Sequence, residues 1–325
     1  MADKPGIEIN LTAVIMAVEG DRPVIFASSQ GKERPAGLPS GPFDPVHHRT
    51  LELGLRGFAV DQAGLELGYV EQLYTFGDRG RHVPEDIETH PDALPHVVSI
   101  GYLALTRIAG EVQTSASFRD LYRYFPWEDW RGGKPAVIDS FILPALHRWA
   151  GCVEEEKHAP VRRGLSREER IALYFGNEDL LFDEEKVLER YELLYDAGLV
   201  AEAIRDRRLP ISSEVPPLGE SMVFDHRRIL ATALGRIRAK LKYRPVVFEM
   251  LPESFTLTEL QRKVEAIAGH HLHKQNFRRL VETGGLVEPT GQQTTTGGRP
   301  AATFRFRREV LTERPAPGLR LGRGT

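Results

Sequence analysis

Lys274, Gln275, Asn276, Arg278 and Arg279 fall within one six-residue stretch. At helical spacing Phe277, Leu280 and Val281 share a face, and the polar side chains turn elsewhere. Gln and Asn match the adenine edge, and Arg matches guanine or phosphate. That is base-reading chemistry, and it requires a helix able to enter a major groove. Arg299, and Arg305, Arg307 and Arg308 on a following strand, would add cations suited to phosphates or the minor groove. Protein contact is the alternative use of such a surface. Other chemistries have less to stand on. The chain has no Ser/His/Asp triad spacing and no Walker loop. His270, His271 and His273 fall at a turn without evident carboxylate or Cys partners, so no metal is expected there. The single cysteine, Cys152, excludes an internal disulfide and a Cys-rich zinc site, and reads as a small buried apolar group.

The elements that must position the polar helix are legible around it. Thr256-Leu-Thr-Glu259 is a capping box opening a helix through Ala268, with Gly269 as its stop. A second helix runs from about Leu272 to Thr283. LVEPT and AATFRFR flank a Gly/Thr-rich turn and read as a β-hairpin. Two helices and a hairpin outline a winged helix-turn-helix. Upstream, residues 224–242 read as a basic helix with Ile229, Leu230, Ala233, Ile237 and Leu241 on its apolar side. Residues 7–28 read as two strands around the turn EGDRP, 65–76 and 96–108 as further strands, and Thr50–Ala63 as a helix stopped by Gly64. GLPSGPFDP and the polar, Pro-rich 77–95 are loops. FRDLYRYFPWEDW (118–130) reads as a packed core edge or a dimer interface. Residues 131–220 show helical spacing with acidic faces that solvent would cover, ending in the linker LPISSEVPPLG.

Composition narrows the class. A chain of 325 residues, 41% hydrophobic and 27% charged, is expected to fold as more than one globular unit. Its longest apolar stretch, Leu11 to Val18, is too short to cross a bilayer, and MADKPGIEIN has no apolar signal core, so a cytoplasmic location is expected. The net charge of −3 conceals an asymmetry: residues 226–325 carry +11 and residues 1–225 carry −14. A basic third fits a polyanionic partner, and complementarity between domains fits equally well.

Two separated groups of motifs resemble one family, the Nudix-related transcriptional regulators of NAD metabolism. LPSG…QAGLELGYVEQLYTFGDRGR and HVVSIGYLALT are similar to its Nudix domain. FDHRRIL, VVFEMLPESFTLTELQRKVEAIAG, NFRRLVETGGLVEPTG and GGRPAATFRF are similar to its winged helix. The resemblance implies an α+β fold: a Nudix-type α/β/α sandwich with a mixed sheet, a helical insertion, and a C-terminal winged helix-turn-helix. The expected units are a sensor domain at 1–130 completed by 221–242, the helical insertion and linker at 131–220, and the DNA-binding domain with its tail at 243–325.

A working Nudix box holds Mg²⁺ on helix glutamates, because this hard cation prefers carboxylate oxygen. Here Gly57-Phe58 stands where the family has Arg-Glu, and Asp61-Gln62 replaces the Glu pair. Glu52 is the nearest substitute, on another helix face. No catalytic residue, metal or cofactor is therefore expected. The implied function is a DNA-binding repressor that senses an ADP-ribose-like nucleotide, acting as a homodimer on a double-stranded operator of NAD-metabolism genes. Phe76, Asp78, Arg79 and Arg81 are the implied ligand-binding residues, and Lys274, Gln275, Asn276, Arg278, Arg279, Arg299 and Arg305 the DNA-binding ones. The rivals are a Nudix pyrophosphatase acting on ADP-ribose-like substrates and a non-catalytic interaction protein docking through the insertion.

Overall fold

The computed structural model describes residues 6–29, 34–78, 80–81, 95–108, 118–152, 164–206, 218–295, 300–313 and 318–319. Arg79 and Arg299 lie outside the described residues, as do most of the 77–95 loop and the 209–219 linker.

Strand β1 (Ile7–Glu19) is the centre of a mixed sheet. It pairs antiparallel with β2 (Arg22–Phe26) and with the short β3 (Ser40–Pro42). It also pairs in parallel with β5 (His96–Leu105), with Ile7 opposite His96 and Met16 opposite Leu105. Beyond β5 lies β4 (Val70–Phe76), and beyond β2 lies β6 (Phe118–Asp120), both antiparallel. The continuous apolar run of β1 follows from burial on both sides. Leu11, Ala13 and Ile15 point to one face, and Val14, Met16 and Val18 to the other, at the two-residue period of a strand.

The first face is covered by α1 (Leu51–Ala63), through Leu55, Ala59 and Ala63. Its ends are set locally. The Thr50 side chain accepts from the Leu53 N–H, and Gly64 adopts φ 65°, from which its N–H reaches the last carbonyls. The second face is covered by α6 (His226–Tyr243) and by α7 (Leu257–Ala268), with α4 (Val187–Asp196) packed behind α6. The insertion supplies α2 (Leu143–Ala150), α3 (Arg167–Phe175), α4 and α5 (Ala201–Arg205). Helix α8 (Lys274–Thr283), strands β7 (Val287–Thr294) and β8 (Ala301–Phe306), and a single turn α9 (Val310–Glu313) complete the winged helix. No helix among the described residues is long and apolar enough to cross a membrane. The architecture is the expected α+β one, with a mixed sheet between helical layers and a winged helix at the C-terminal end.

Several local expectations are corrected. Strand β4 starts at Val70 rather than 65, because Arg56 donates to the Leu67 and Gly68 carbonyls and removes them from any ladder. The loop-like 37–45 contains β3, an edge strand where Pro42 costs no ladder bond. Cys152 is exposed just past the end of α2, not buried. The largest correction concerns the insertion. Its charges were expected in solvent, but Arg167, Arg170, Arg190, Glu192 and Glu202 are buried.

Those buried charges meet partners from distant segments. The Glu128 carboxylate receives Arg190 Nε at 2.6 Å and Nη2 at 2.9 Å, and Arg238 Nη1 at 2.6 Å. Arg190 also donates to the Tyr174 and Asp183 carbonyls. Arg227 donates to Glu202 at 3.1 Å and to the carbonyls of Tyr124 and Leu218. The insertion is thus bolted to the 118–130 segment and to α6, and one apolar cluster runs from Val14 through Tyr191 and Ile229 to Leu260 and Phe277.

The winged helix is joined to the same body by its backbone. A helix leaves its last carbonyls without intrahelical partners. At the end of α7, Tyr122 Oη donates to Ala266 O at 2.7 Å, Arg238 Nε to Ile267 O at 3.0 Å, and Trp130 N to Gly269 O at 2.6 Å. Gly269 has φ 78°, and a Cβ there would lie 2.5 Å from the Glu128 carbonyl. Only glycine suits that turn and that contact. Lys263 adds a bond to the Val18 carbonyl at 2.7 Å.

Candidate functional site

Helix α8 presents the chemistry read from its sequence. Phe277 and Val281 are buried, while Lys274, Gln275, Asn276, Arg278 and Arg279 are all exposed. Among the described residues no hydrogen bond or ion pair engages the side chains of Lys274, Arg278 or Arg279. Their charges are open to an outside partner, and the first turn of α8 carries no acidic residue to compete. The wing is less free. Arg305 is exposed but pairs with Glu288 on β7, and Arg307 is held by the Gly285 carbonyl and Glu313. The Phe255–Phe304 backbone pair, 2.8 and 2.9 Å, fastens the hairpin to the loop before α7.

The proposed ligand-binding residues are less accessible. Phe76 is buried at the end of β4, so the core role is its observed one. Asp78 is exposed and paired with Arg228. Arg81 is 4% exposed, 3.4 Å from both Glu192 and Asp225, with its guanidinium 3.8 Å from the Tyr195 ring centre. Burial works against its charge, but Glu192 and Asp225 offset this and hold its pKa above the usual value. Burial pushes Asp225 up to about 6, against the pull of Arg81 and Arg228. Arg228 was missed in the sequence. It reads there as one more cation on a basic helix, yet it lies 2.6 Å from Glu192 and over the Phe76 ring. Phe76, Asp78 and Arg81 are therefore held against α4 and α6, and Arg81 faces protein carboxylates.

The box helix α1 does not fit Mg²⁺. Glu52 is taken by Arg56 at 2.9 Å. The Gln62 amide spans Ser40, accepting from its N–H at 3.1 Å and donating to its carbonyl at 2.7 Å. Phe58 packs edge-on to His48 and against Gly41, where a Cβ would come within 2.6 Å of its ring. The positions of the missing ligands are structural contacts between α1, β3 and the loop before α1. No group of three His, Cys, Asp or Glu side chains among the described residues is arranged to hold a metal. The triple-histidine turn does have a carboxylate: His271 Nδ1 lies 2.9 Å from Glu265, which a sequence separation of six hides.

Comparison with known proteins places these features. Residues 247–306 match the family described as the NrtR DNA-binding winged helix domain. The ADPR responsive transcriptional repressor NtrR of Acinetobacter baylyi is 42% identical over 85 residues, 26% of this chain. The chain spans only 34% of that curated relative. A crystal structure of Shewanella oneidensis NrtR complexed with a 27mer DNA is 18% identical and covers 94% of this chain and 95% of its own, with a TM-score of 0.53. A second structure of the same protein, 18% identical, covers 94% and 96% with a TM-score of 0.51. The chain is thus NrtR-like in fold across 94% of its length, and residues 247–306 are a winged helix of the NrtR DNA-binding type.

Proposed function

We propose that the chain is a DNA-binding transcriptional repressor that answers to an ADP-ribose-like nucleotide and controls genes of NAD metabolism. The observation that carries this reading is α8: five exposed polar side chains on a winged helix of NrtR type, with its three cations unpartnered among the described residues. The matching relative named as an ADPR responsive repressor supports the effector, and the similar fold solved with DNA supports the partner. A cytoplasmic homodimer is part of the same proposal, since reading a palindromic operator takes two recognition helices.

The effector contact is proposed beside the 76–81 loop, with Arg79 as the phosphate-gripping residue. Phe76 and Arg81 then act by holding that loop on α4 and α6. The division of labour is testable. Arg79→Ala should bind operator DNA normally and ignore ADP-ribose. Arg81→Ala should instead destabilise the fold, because it removes one of the two buried cations that Glu192 and Asp225 share and leaves both carboxylates to Arg228. Wild-type protein should show DNA affinity shifted roughly 5–150-fold by ADP-ribose, the range of a typical coupling free energy. Reciprocity requires operator DNA to shift ADP-ribose affinity by the same factor. Equal nucleotide affinity with and without DNA would rule out the switch.

Loss of hydrolysis belongs to the same reading. With Mg²⁺ present, ADP-ribose should remain intact, because Phe58 and Gln62 are packing and bridging residues where carboxylates are needed. Turnover on the order of 1 per second or faster, abolished by Asp61→Ala, would restore the pyrophosphatase alternative.

A further inference from the structure

The turn leading into α6 holds the one non-glycine residue with a left-handed backbone among the described residues, Phe224 at φ 49°. A Cβ crowds the backbone at such a φ, and a bulky residue held there is strained. Strain of this kind persists only where the surroundings over-determine it. They do so here. Arg205 at the end of α5 donates to the carbonyls of Met222 and Phe224, at 2.6 and 2.9 Å. The Met222 N–H donates to Glu202 at 2.9 Å, and the Val223 N–H to the Ala36 carbonyl at 3.0 Å. The His226 N–H closes the turn on the Val223 carbonyl at 3.1 Å. Three of these five bonds come from α5, which belongs to the insertion.

The two residues after Phe224 tie the start of α6 to the Nudix-like half. Asp225 lies 3.4 Å from Arg81, at the end of the 76–81 loop. His226 accepts from the Leu38 N–H at 2.9 Å through Nδ1, just ahead of β3. The other end of α6 meets the winged helix. There Arg238 donates to the Ile267 carbonyl at 3.0 Å, in the last turn of α7. One helix thus joins the loop of the proposed effector contact to the element that precedes α8, and the strained residue sits at its start. Arg79, the proposed phosphate-gripping residue, is two positions from Arg81. A pull on that loop is therefore a pull on Asp225 and on the Phe224 turn.

We propose that Phe224 is a strained hinge, held left-handed in one arrangement of the chain and released to an ordinary negative φ in another. The inference rests on the effector reading above and adds the element that couples its two ligands. In the released arrangement Leu38 and Arg81 shift with the start of α6, and the helix carries that shift to α7 and α8. DNA prefers the strained arrangement and the nucleotide the released one. A ligand shifts such an equilibrium only by its differential affinity, and stored strain narrows the gap it must close. The insertion acts as the catch, because α5 holds the turn.

Phe224→Gly removes the strain, and Phe224→Ala removes the ring but keeps the strain. The left-handed penalty of about 1–2 kcal/mol is roughly 5- to 30-fold in an equilibrium. Glycine's own freedom in the released turn offsets part of it. Phe224→Gly should therefore bind ADP-ribose roughly three- to tenfold more weakly than Phe224→Ala, in calorimetric titrations of the full chain. Release of operator DNA should need more ADP-ribose by the same factor. Arg205→Ala removes the catch and should tighten nucleotide binding instead. A turn with only a structural role would change stability and leave the nucleotide affinities equal. Hydrogen exchange at the Leu38, Val223 and His226 amides reads the turn without any ligand. It should be slower in Phe224→Gly than in Phe224→Ala by a similar factor. Equal exchange in these two variants, or equal ADP-ribose affinity, would overturn the proposal. A folded Arg205→Ala that binds nucleotide more weakly would overturn the catch, and the glycine–alanine comparison stands without that variant. Wild type that binds no ADP-ribose would sink the effector reading, and exchange alone would then decide whether the turn is a hinge.

Discussion

Glu128→Ala is expected to lower the unfolding free energy by about 3–5 kcal/mol, the cost of breaking a buried ion pair from one side. The variant leaves the guanidiniums of Arg190 and Arg238 in the interior with their shared acceptor gone. Native proteins are stable by only about 5–15 kcal/mol, so this loss takes a large part of the total. The effect should reach the winged helix. Arg238 also donates to the Ile267 carbonyl and to the Glu128 carbonyl, whose residue packs on Gly269. Replacing all three members, as Glu128→Leu with Arg190→Met and Arg238→Met, should cost much less, since no charge is then stranded. The pH dependence follows from the carboxylate. Burial raises the Glu128 pKa, but Arg190 and Arg238 offset this and hold it below its usual 4.5. Its contribution is therefore complete above that value and fades as the pH falls through the lowered one. Denaturant unfolding of wild type and Glu128→Ala at pH 7 and at about pH 3 measures both parts. A difference at pH 7 of less than about 1 kcal/mol, the scale of a surface pair, would remove the triad from its structural role.

What the sequence revealed and what it concealed divide along the distance between interacting residues. The capping box at Thr256 and Glu259, the stops at Gly64 and Gly269, and the apolar stripe of α8 are local signals, and each lies where it was read. The alternating faces of β1 are local too, although burial on both sides turns alternation into a continuous apolar run. Glu128 meets Arg190 across 62 positions and Arg238 across 110, and Arg81 meets Asp225 across 144. Helical periodicity assigns such charges to solvent because it counts only neighbours three or four residues away. The same limit explains the site residues. Arg81 read as an open phosphate ligand until Glu192 and Asp225 were placed beside it. Lys274, Gln275, Asn276, Arg278 and Arg279 were legible because exposure opposite Phe277 and Val281 is decided within α8 itself.

The same locality makes α8 the place where binding can be separated from folding. Lys274→Glu with Arg278→Glu should leave stability within about 0.5 kcal/mol, the scale of surface substitutions away from packed features. Neither side chain has a partner among the described residues to lose. If both cations neutralise phosphates, the slope of log affinity against log salt should shrink by about 1.8, or 0.9 for each contact removed. That loss should fall on operator and random DNA alike, because phosphate contacts carry no sequence information. Gln275→Ala should behave differently. Removing a base contact should relax preference at particular base pairs by about 1–3 kcal/mol, with the salt slope unchanged. Arg299→Ala, outside the described residues, is expected to resemble the phosphate class. Affinities for operator and scrambled duplexes across a salt series separate the two behaviours. If the double reversal left the salt slope intact while the protein stayed folded, α8 would not be the face that meets DNA. The open cations would then have to serve a protein partner.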